Sequence, residues 1–222
     1  MFKDRKDAGK KLLALMKDYE KIECIVYGLP RGGVPVAYEI AVGLNKPLEV
    51  LIVKKLGLPG EEELALGAIA EGEKPSLYLN SNLMLNYGYS EKDMQPYIET
   101  KLKDISRLQQ IYRKNGKMMV NTNGTAILVD DGVSTGATVK AAIKAFKDID
   151  QKTIVVASPV GHIAVLREIQ KMVDEVICAE PVRYMEAVGE FYLDFSEVAN
   201  EEACELIDSA RRNIKGNRSH NS

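Results

Sequence analysis

Histidine, cysteine and long apolar runs are scarce in this chain of 222 residues, and each scarcity removes a class of function. Two histidines, His162 and His220, are too few for a histidine-rich metal centre or for paired-histidine catalysis. The three cysteines, Cys24, Cys178 and Cys204, are widely scattered and suggest no disulfide framework. Cys24 and Cys178 fall within predicted strands, where burial opposes ionisation, so they read as core residues rather than nucleophiles. No segment is apolar for long enough to cross a membrane, and no internal repeat is apparent. A net charge of −2 gives no general attraction for nucleic acid, so any anion site has to be local. The start, Met1-Phe2-Lys3-Asp4-Arg5-Lys6-Asp7, is charged where a secretory leader would be apolar, and the expectation is a cytoplasmic protein. What is present is ample material for a core, with 45% hydrophobic and 28% charged residues.

The stretch Ile127-Leu128-Val129-Asp130-Asp131-Gly132-Val133-Ser134-Thr135-Gly136-Ala137-Thr138 holds the densest chemistry. Its apolar beginning, bounded by a Gly-containing loop, reads as a buried parallel strand, and Val139 to Lys147 reads as the following helix. Between them, Ser134 to Thr138 lack bulk. Their backbone N–H groups can converge on one anion, with the helix N-terminus behind them adding partial positive charge. A phosphate fits there. Like charges repel, so Asp130 and Asp131 stand beside that phosphate, where hydroxyls or a cation belonging to the same ligand would lie. The ligand reads as a phosphorylated sugar. A Walker loop would need lysine where Ala137 stands. A phosphatase Asp-x-Asp pair would need its carboxylates alternate rather than adjacent on the strand. The bland alternative, two acids that merely end a strand, leaves the ordered coincidence of apolar run, acid pair and small-residue loop unexplained.

This stretch resembles the phosphoribosyl pyrophosphate motif of the type I phosphoribosyltransferases. The resemblance implies that Asp130 and Asp131 meet the ribose hydroxyls. It implies that Val133, Ser134, Thr135, Gly136, Ala137 and Thr138 cradle the 5′-phosphate. Earlier in the chain, the strand Ile22–Tyr27 leads into Gly28-Leu29-Pro30-Arg31-Gly32-Gly33 and then a helix over 34–43. Alone this could be a plain Gly-rich turn with a solvated arginine. Its position is similar to the pyrophosphate loop of the same family, which implies pyrophosphate binding by Pro30, Arg31, Gly32 and Gly33. A further strand, Leu48–Val53, ends in Lys54-Lys55-Leu56-Gly57-Leu58-Pro59-Gly60. Lysines at the carboxyl end of a parallel strand lie on the ligand side, whereas lysines in a turn are solvated. The first reading is taken for Lys54, and both stay open for Lys55. The stretch is similar to the basic strand end and mobile Leu-Pro-Gly loop of adenine phosphoribosyltransferases, with Glu61-Glu62-Glu63 in that loop. Near the C-terminus, Val188-Gly189 and Leu193-Asp194-Phe195 are similar to a run in hypoxanthine-guanine phosphoribosyltransferases beside base and metal. That similarity implies Tyr184 or Phe191 as base contacts and Asp194 as an aid to Mg²⁺, although aromatic residues at strand ends commonly belong to the core.

The expected fold is α/β, an open and mostly parallel sheet with helices on both faces. One domain over 1–222 would carry a hood and helical insertion at about 57–122, including strands at 65–70 and 77–79 and a helix over 90–114 capped by Ser90 with Asp93. That helix could pack internally or on a second subunit in a homodimer. His162, after Pro159-Val160-Gly161, reads as a helix-entry residue that could also face the site. The family closest in pattern is the stand-alone bacterial group of phosphoribosyltransferases with unassigned substrate. The implied reaction is Mg²⁺-dependent displacement of pyrophosphate from phosphoribosyl pyrophosphate by a small-molecule nitrogen acceptor, with Asp130, Asp131, Arg31 and Lys54 as the acting residues. Competing expectations are a regulator that senses the same ligand and a hydrolase that uses water as acceptor. Ser134 departs from the 6-oxopurine enzymes, which the resemblance gives an Asp at that position.

Overall fold

Helix and strand alternate along the chain as the apolar periodicity requires. The computed structural model describes residues 1–58, 61–113 and 116–218. Helix α1 (Arg5–Leu13) precedes β1 (Cys24–Gly28), α2 (Gly33–Leu44) and β2 (Leu48–Val50). Then come β3 (Val53–Leu58), β4 (Glu61–Ala70), β5 (Ser76–Leu79), α3 (Ser81–Asn86) and α4 (Glu91–Arg113). The chain continues through β6 (Thr125–Val129), α5 (Ala137–Lys147), β7 (Thr153–His162), α6 (Ile163–Gln170), β8 (Glu175–Val182) and α7 (Asn200–Arg218).

Every residue of β1 and β6 is buried, as strands covered on both faces should be. Alternate side chains feed opposite layers. Val26, Ile127 and Val129 join a core shared with α1, α2, α4 and α7, while Ile25, Tyr27, Ala126 and Leu128 join one shared with α5 and α6. Each such Val, Ile or Leu contributes roughly 1.5–3 kcal/mol by leaving water. The five-stranded sheet has the order β2-β1-β6-β7-β8, with every pairing parallel. From β1 the chain passes through α2 to β2 on one side, and from β6 through α5 to β7 on the other. The carboxyl ends of β1 and β6 therefore flank the topological switch point, where open α/β sheets form a crevice.

Strands β3, β4 and β5 make a separate antiparallel sheet. This corrects the expectation of a single strand over Leu48–Val53 with lysines at its parallel end. Apart from Glu49 the run is apolar, because Leu51 and Ile52 stay buried while the chain steps from one sheet to the other. Ile52 N–H donates to the Glu71 carboxylate at 2.7 Å and its carbonyl accepts from Glu71 N–H at 2.9 Å, so the step has its own backbone partners. Lys54 and Lys55 thus sit on β3. Of the expected mobile loop, Pro59 and Gly60 lie outside the described residues, whereas 56–58 and 61–63 are backbone of β3 and β4.

Helix α1 ends at Leu13, and a 3₁₀ turn at Lys17–Lys21 keeps Tyr19 buried. Strand β7 continues past Ala157 through Pro159 to His162, because β8 and Val133 supply pairing partners there. At the start of α4, Ser90 N–H donates to Asp93 Oδ2 at 2.8 Å and Asp93 N–H donates to the Ser90 carbonyl at 3.1 Å. The end of α4 is fixed by buried Arg113, which donates to both oxygens of Glu71 at 2.7 Å and to Glu49 Oε1 at 3.4 Å. Among the described residues, no helix is long and apolar enough to cross a membrane.

Candidate functional site

The loops leaving β1 and β6 open into a cleft of about 1170 Å³. Pro30, Arg31 and Gly32 form one side, and the continuous run Asp130–Val139 forms its floor. Lys54 and Lys55 reach it from β3, Arg107 and Tyr112 from α4, and Val188 with Phe195 from the segment before α7.

The small-residue loop of the floor is held by the sheet itself. Val133 N–H donates to the Val160 carbonyl at 2.9 Å, and its own carbonyl accepts from His162 N–H at 2.9 Å. This bridge to the extension of β7 fixes the loop before α5 begins. Gly136 starts that helix at φ +73°, and a Cβ there would come within 2.6 Å of Val165 Cγ1. No side chain caps α5, and its first turn contains no acid. The N–H groups of that turn have no intrahelical partner and add to the helix's positive end, so the loop is suited to an anion. Ser134, Thr135, Ala137 and Thr138 line the cleft with Gly136.

Asp130 and Asp131 stand at the strand end between the two loops. Asp131 N–H donates to Asp130 Oδ1 at 3.0 Å. Burial first, and then the neighbouring Asp131 charge, push the Asp130 carboxyl well above the usual range, with Lys55 acting in the opposite direction. Asp131 has a counter-cation that sequence reasoning missed: Arg5 Nε donates to its Oδ2 at 2.8 Å. Arg5 also lines the cleft. Gly32 is required beside this pair, since a Cβ there would lie 1.9 Å from Asp131 Oδ2.

Cations line the cleft as well: Arg31 and Lys54, with Arg107 from α4. Burial above all, followed by the charges of Lys101, Arg31 and Arg107 against the opposing effect of Asp104, holds the Lys54 ammonium below its ordinary pKa. Such a site favours an anion that relieves the crowding. Arg31 is paired with Glu197, another residue that sequence reasoning missed. Arg5, Arg107 and Glu197 had no local signal, being single charges on helices or in a polar stretch that only the tertiary fold brings to the cleft.

Several expected residues lie elsewhere. Gly33 is a packing residue beneath the site, where a Cβ would sit 2.5 Å from the Val129 carbonyl oxygen. Tyr184 is 90% exposed and outside the cleft lining. Phe191 packs with Phe2 and Tyr192 in a small satellite core, also outside the lining. Asp194 accepts from Ser196 N–H at 2.9 Å and does not line the cleft. His162 is absent from the lining as well, and its Nδ1 is buried with no hydrogen-bond partner among the described residues. The aromatic residues that do line the cleft are Tyr112 and Phe195, the latter under the Arg5 guanidinium.

Comparison with known proteins places the chain in a family. A family model described as the phosphoribosyl transferase domain matches residues 3–196. Two Mycobacterium tuberculosis proteins, from strains CDC 1551 / Oshkosh and ATCC 25618 / H37Rv, are named provisionally as phosphoribosyl transferases. Each is 35% identical over 214 residues, covering 96% of this chain and 48% of its own length. The chain thus spans about half the length of these curated relatives. The crystal structure of TT1426 from Thermus thermophilus is similar at a TM-score of 0.70 with 32% identity, covering 93% of this chain and 97% of that one.

Proposed function

Since the chain belongs to the phosphoribosyl transferase domain family, we propose that it transfers the phosphoribosyl group of phosphoribosyl pyrophosphate to a small nitrogenous acceptor. One observation carries this reading: an acid pair, Asp130 and Asp131, an uncapped helix start and a group of cations all line one cleft. A ligand with a terminal phosphate, sugar hydroxyls and a diphosphate presents a matching group for each of the three. Ser134 to Thr138 would take the 5′-phosphate through backbone N–H groups, and the acids would accept from ribose hydroxyls. Arg31 and Lys54 would hold the diphosphate. As the bond from C1′ to the diphosphate oxygen breaks, the acceptor nitrogen forms its bond from the opposite side. The protein's part is to orient both groups and to stabilise charge on the leaving oxygens.

Mg²⁺ takes one or two carboxylates together with ligand phosphate oxygens. The donor set fits that pattern: Asp130 offers a carboxylate beside the sugar position, while Asp131 Oδ2 is engaged by Arg5 and Asp194 by Ser196. When bound, the ion would neutralise the diphosphate oxygens.

The acceptor is argued from what the cleft offers a proton. Ser134 is a neutral hydroxyl with no carboxylate-like pKa, and His162 lies outside the cleft lining. Every purine acceptor, adenine included, gives up a ring proton as its nitrogen bonds to the sugar; with Ser134 where the resemblance gives the 6-oxopurine enzymes an Asp, hypoxanthine and guanine should be poor acceptors, and adenine-like bases are the better first candidates. Glu186 is a carboxylate in the lining available to an acceptor that needs a base. The test mixes protein, Mg²⁺ and phosphoribosyl pyrophosphate with hypoxanthine, guanine, xanthine, adenine, uracil and orotate, following pyrophosphate and nucleotide separately. Nucleotide formation supports the transferase. Pyrophosphate alone would mean a hydrolase, and neither product, with ligand binding intact, a sensor.

A further inference from the structure

We propose that Arg5 is a positioning residue for the sugar, gripping Asp131 so that its remaining carboxylate oxygen is presented to ribose hydroxyls. The proposal deepens the phosphoribosyl reading above and rests on it. Arg5 opens α1, and Asp4 caps that helix by accepting from Asp7 N–H at 2.7 Å, so the backbone that carries the guanidinium is fixed. Three contacts then fix the planar group itself. Nε donates to Asp131 Oδ2 at 2.8 Å, Nη1 donates to the Ser196 carbonyl at 2.7 Å, and the guanidinium carbon lies 3.8 Å from the centre of the Phe195 ring.

The pair is well shielded, with the Arg5 and Asp131 side chains 11% and 14% exposed, so water competes weakly for either charge. Asp131 is held at its backbone too. Tyr192 Oη donates to its carbonyl at 2.6 Å, and its N–H is engaged by Asp130. Tyr192 packs against Phe195 at 4.9 Å, which closes the ring of contacts back to Arg5. The Arg5 grip is on Oδ2 alone, which leaves Asp131 Oδ1 for a ligand hydroxyl. A lysine could match the charge of Arg5 but not its simultaneous grip on a carboxylate, a carbonyl and a ring. A mere fastener for the N-terminus would act on stability alone. A positioning residue acts on one ligand subsite.

The experiment separates the subsites with probes. Binding of ribose 5-phosphate, inorganic pyrophosphate and phosphoribosyl pyrophosphate is measured by calorimetry for wild type, Arg5→Met and Arg5→Lys, with melting temperature recorded for each. Arg5→Met is expected to lose about tenfold or more in affinity for ribose 5-phosphate and for phosphoribosyl pyrophosphate, while pyrophosphate, held at Arg31 and Lys54, changes by less than about twofold. Arg5→Lys should recover part of the loss. If Arg5→Met does not fold, Arg5→Lys carries the test through a smaller loss confined to the sugar-bearing probes. Equal losses for all three probes, or no loss for any, would overturn the positioning role. Wild-type protein that binds pyrophosphate but neither sugar phosphate would overturn the phosphoribosyl reading itself, and this proposal with it.

Discussion

Asp130 occupies a position that is bad for the free protein and good for a ligand. Its pKa is pushed up to about 8 from an ordinary value of 3.8, by burial and then by the adjacent Asp131. The group is neutral in folded and unfolded chains below pH 3.8 and carries no penalty there. As pH rises from that value to about 8, the unfolded chain ionises freely while the folded chain holds the proton, so the group's contribution to stability falls across that window. Asp130→Asn removes the penalty. The ligand-free variant should melt higher than wild type, by little at pH near 4 and by about 1 kcal/mol or more near pH 8, roughly 2–4 °C for a chain of this size. An equal gain at both pH values would show that ionisation is not the cause. Above pH about 8, where Asp130 is ionised, the same variant should bind ribose 5-phosphate more weakly, since a charged acceptor hydrogen-bonds a hydroxyl more strongly than an amide does. A second residue-scale outcome follows from Ser134: steady-state kinetics should give much lower kcat/KM for hypoxanthine and guanine than for adenine. Efficient use of either 6-oxopurine would refute the proton argument.

At the scale of elements, α5 and its entry loop, together with α4, decide whether a site exists. Gly136 combines a left-handed backbone with a side-chain vector that points into Val165. Gly136→Ala should cost about 1–2 kcal/mol in chemical denaturation, from αL strain and crowding together, and should weaken phosphate-bearing ligands in proportion to the loop's displacement. Helix α4 depends on Arg113, whose guanidinium neutralises two carboxylates that are each 3% exposed. Arg113→Met leaves Glu49 and Glu71 buried without their cation, and the expected loss is about 3–5 kcal/mol by urea unfolding. A loss below about 1 kcal/mol would mean that water reaches these acids. Neither carboxylate was legible in the sequence as part of a network. A lone Glu between Leu48 and Val50 reads as an ordinary strand residue, and its partner arrives 64 positions later.

Over the whole molecule, legibility followed range. The parallel sheet, the helices on both faces and the loop between β6 and α5 were readable because apolar period and turn chemistry are local, and Asp130 to Thr138 came with them. The break inside Leu48–Val53 was not, since a buried step between sheets keeps the same apolar pattern as a continuous strand. Arg5, Arg107 and Glu197 were unreadable because they come from three distant parts of the chain. Tyr184, Phe191 and Asp194 were carried by a short resemblance, and the C-terminal segment turns Phe195 rather than these residues toward the cleft.

The central claim is that this cleft, assembled from both ends of the chain, binds phosphoribosyl pyrophosphate, and a ligand that binds only the folded state must stabilise it. The direct measurement is thermal unfolding with phosphoribosyl pyrophosphate and Mg²⁺, in buffer free of inorganic phosphate, for wild type and the double variant Asp130→Asn with Asp131→Asn. At a concentration about 100 times Kd the wild-type gain should be about 2.7 kcal/mol, roughly 5–10 °C, and most of it should vanish in the double variant. A wild-type melting curve unmoved by saturating ligand, or an equal shift in both proteins, would contradict the account.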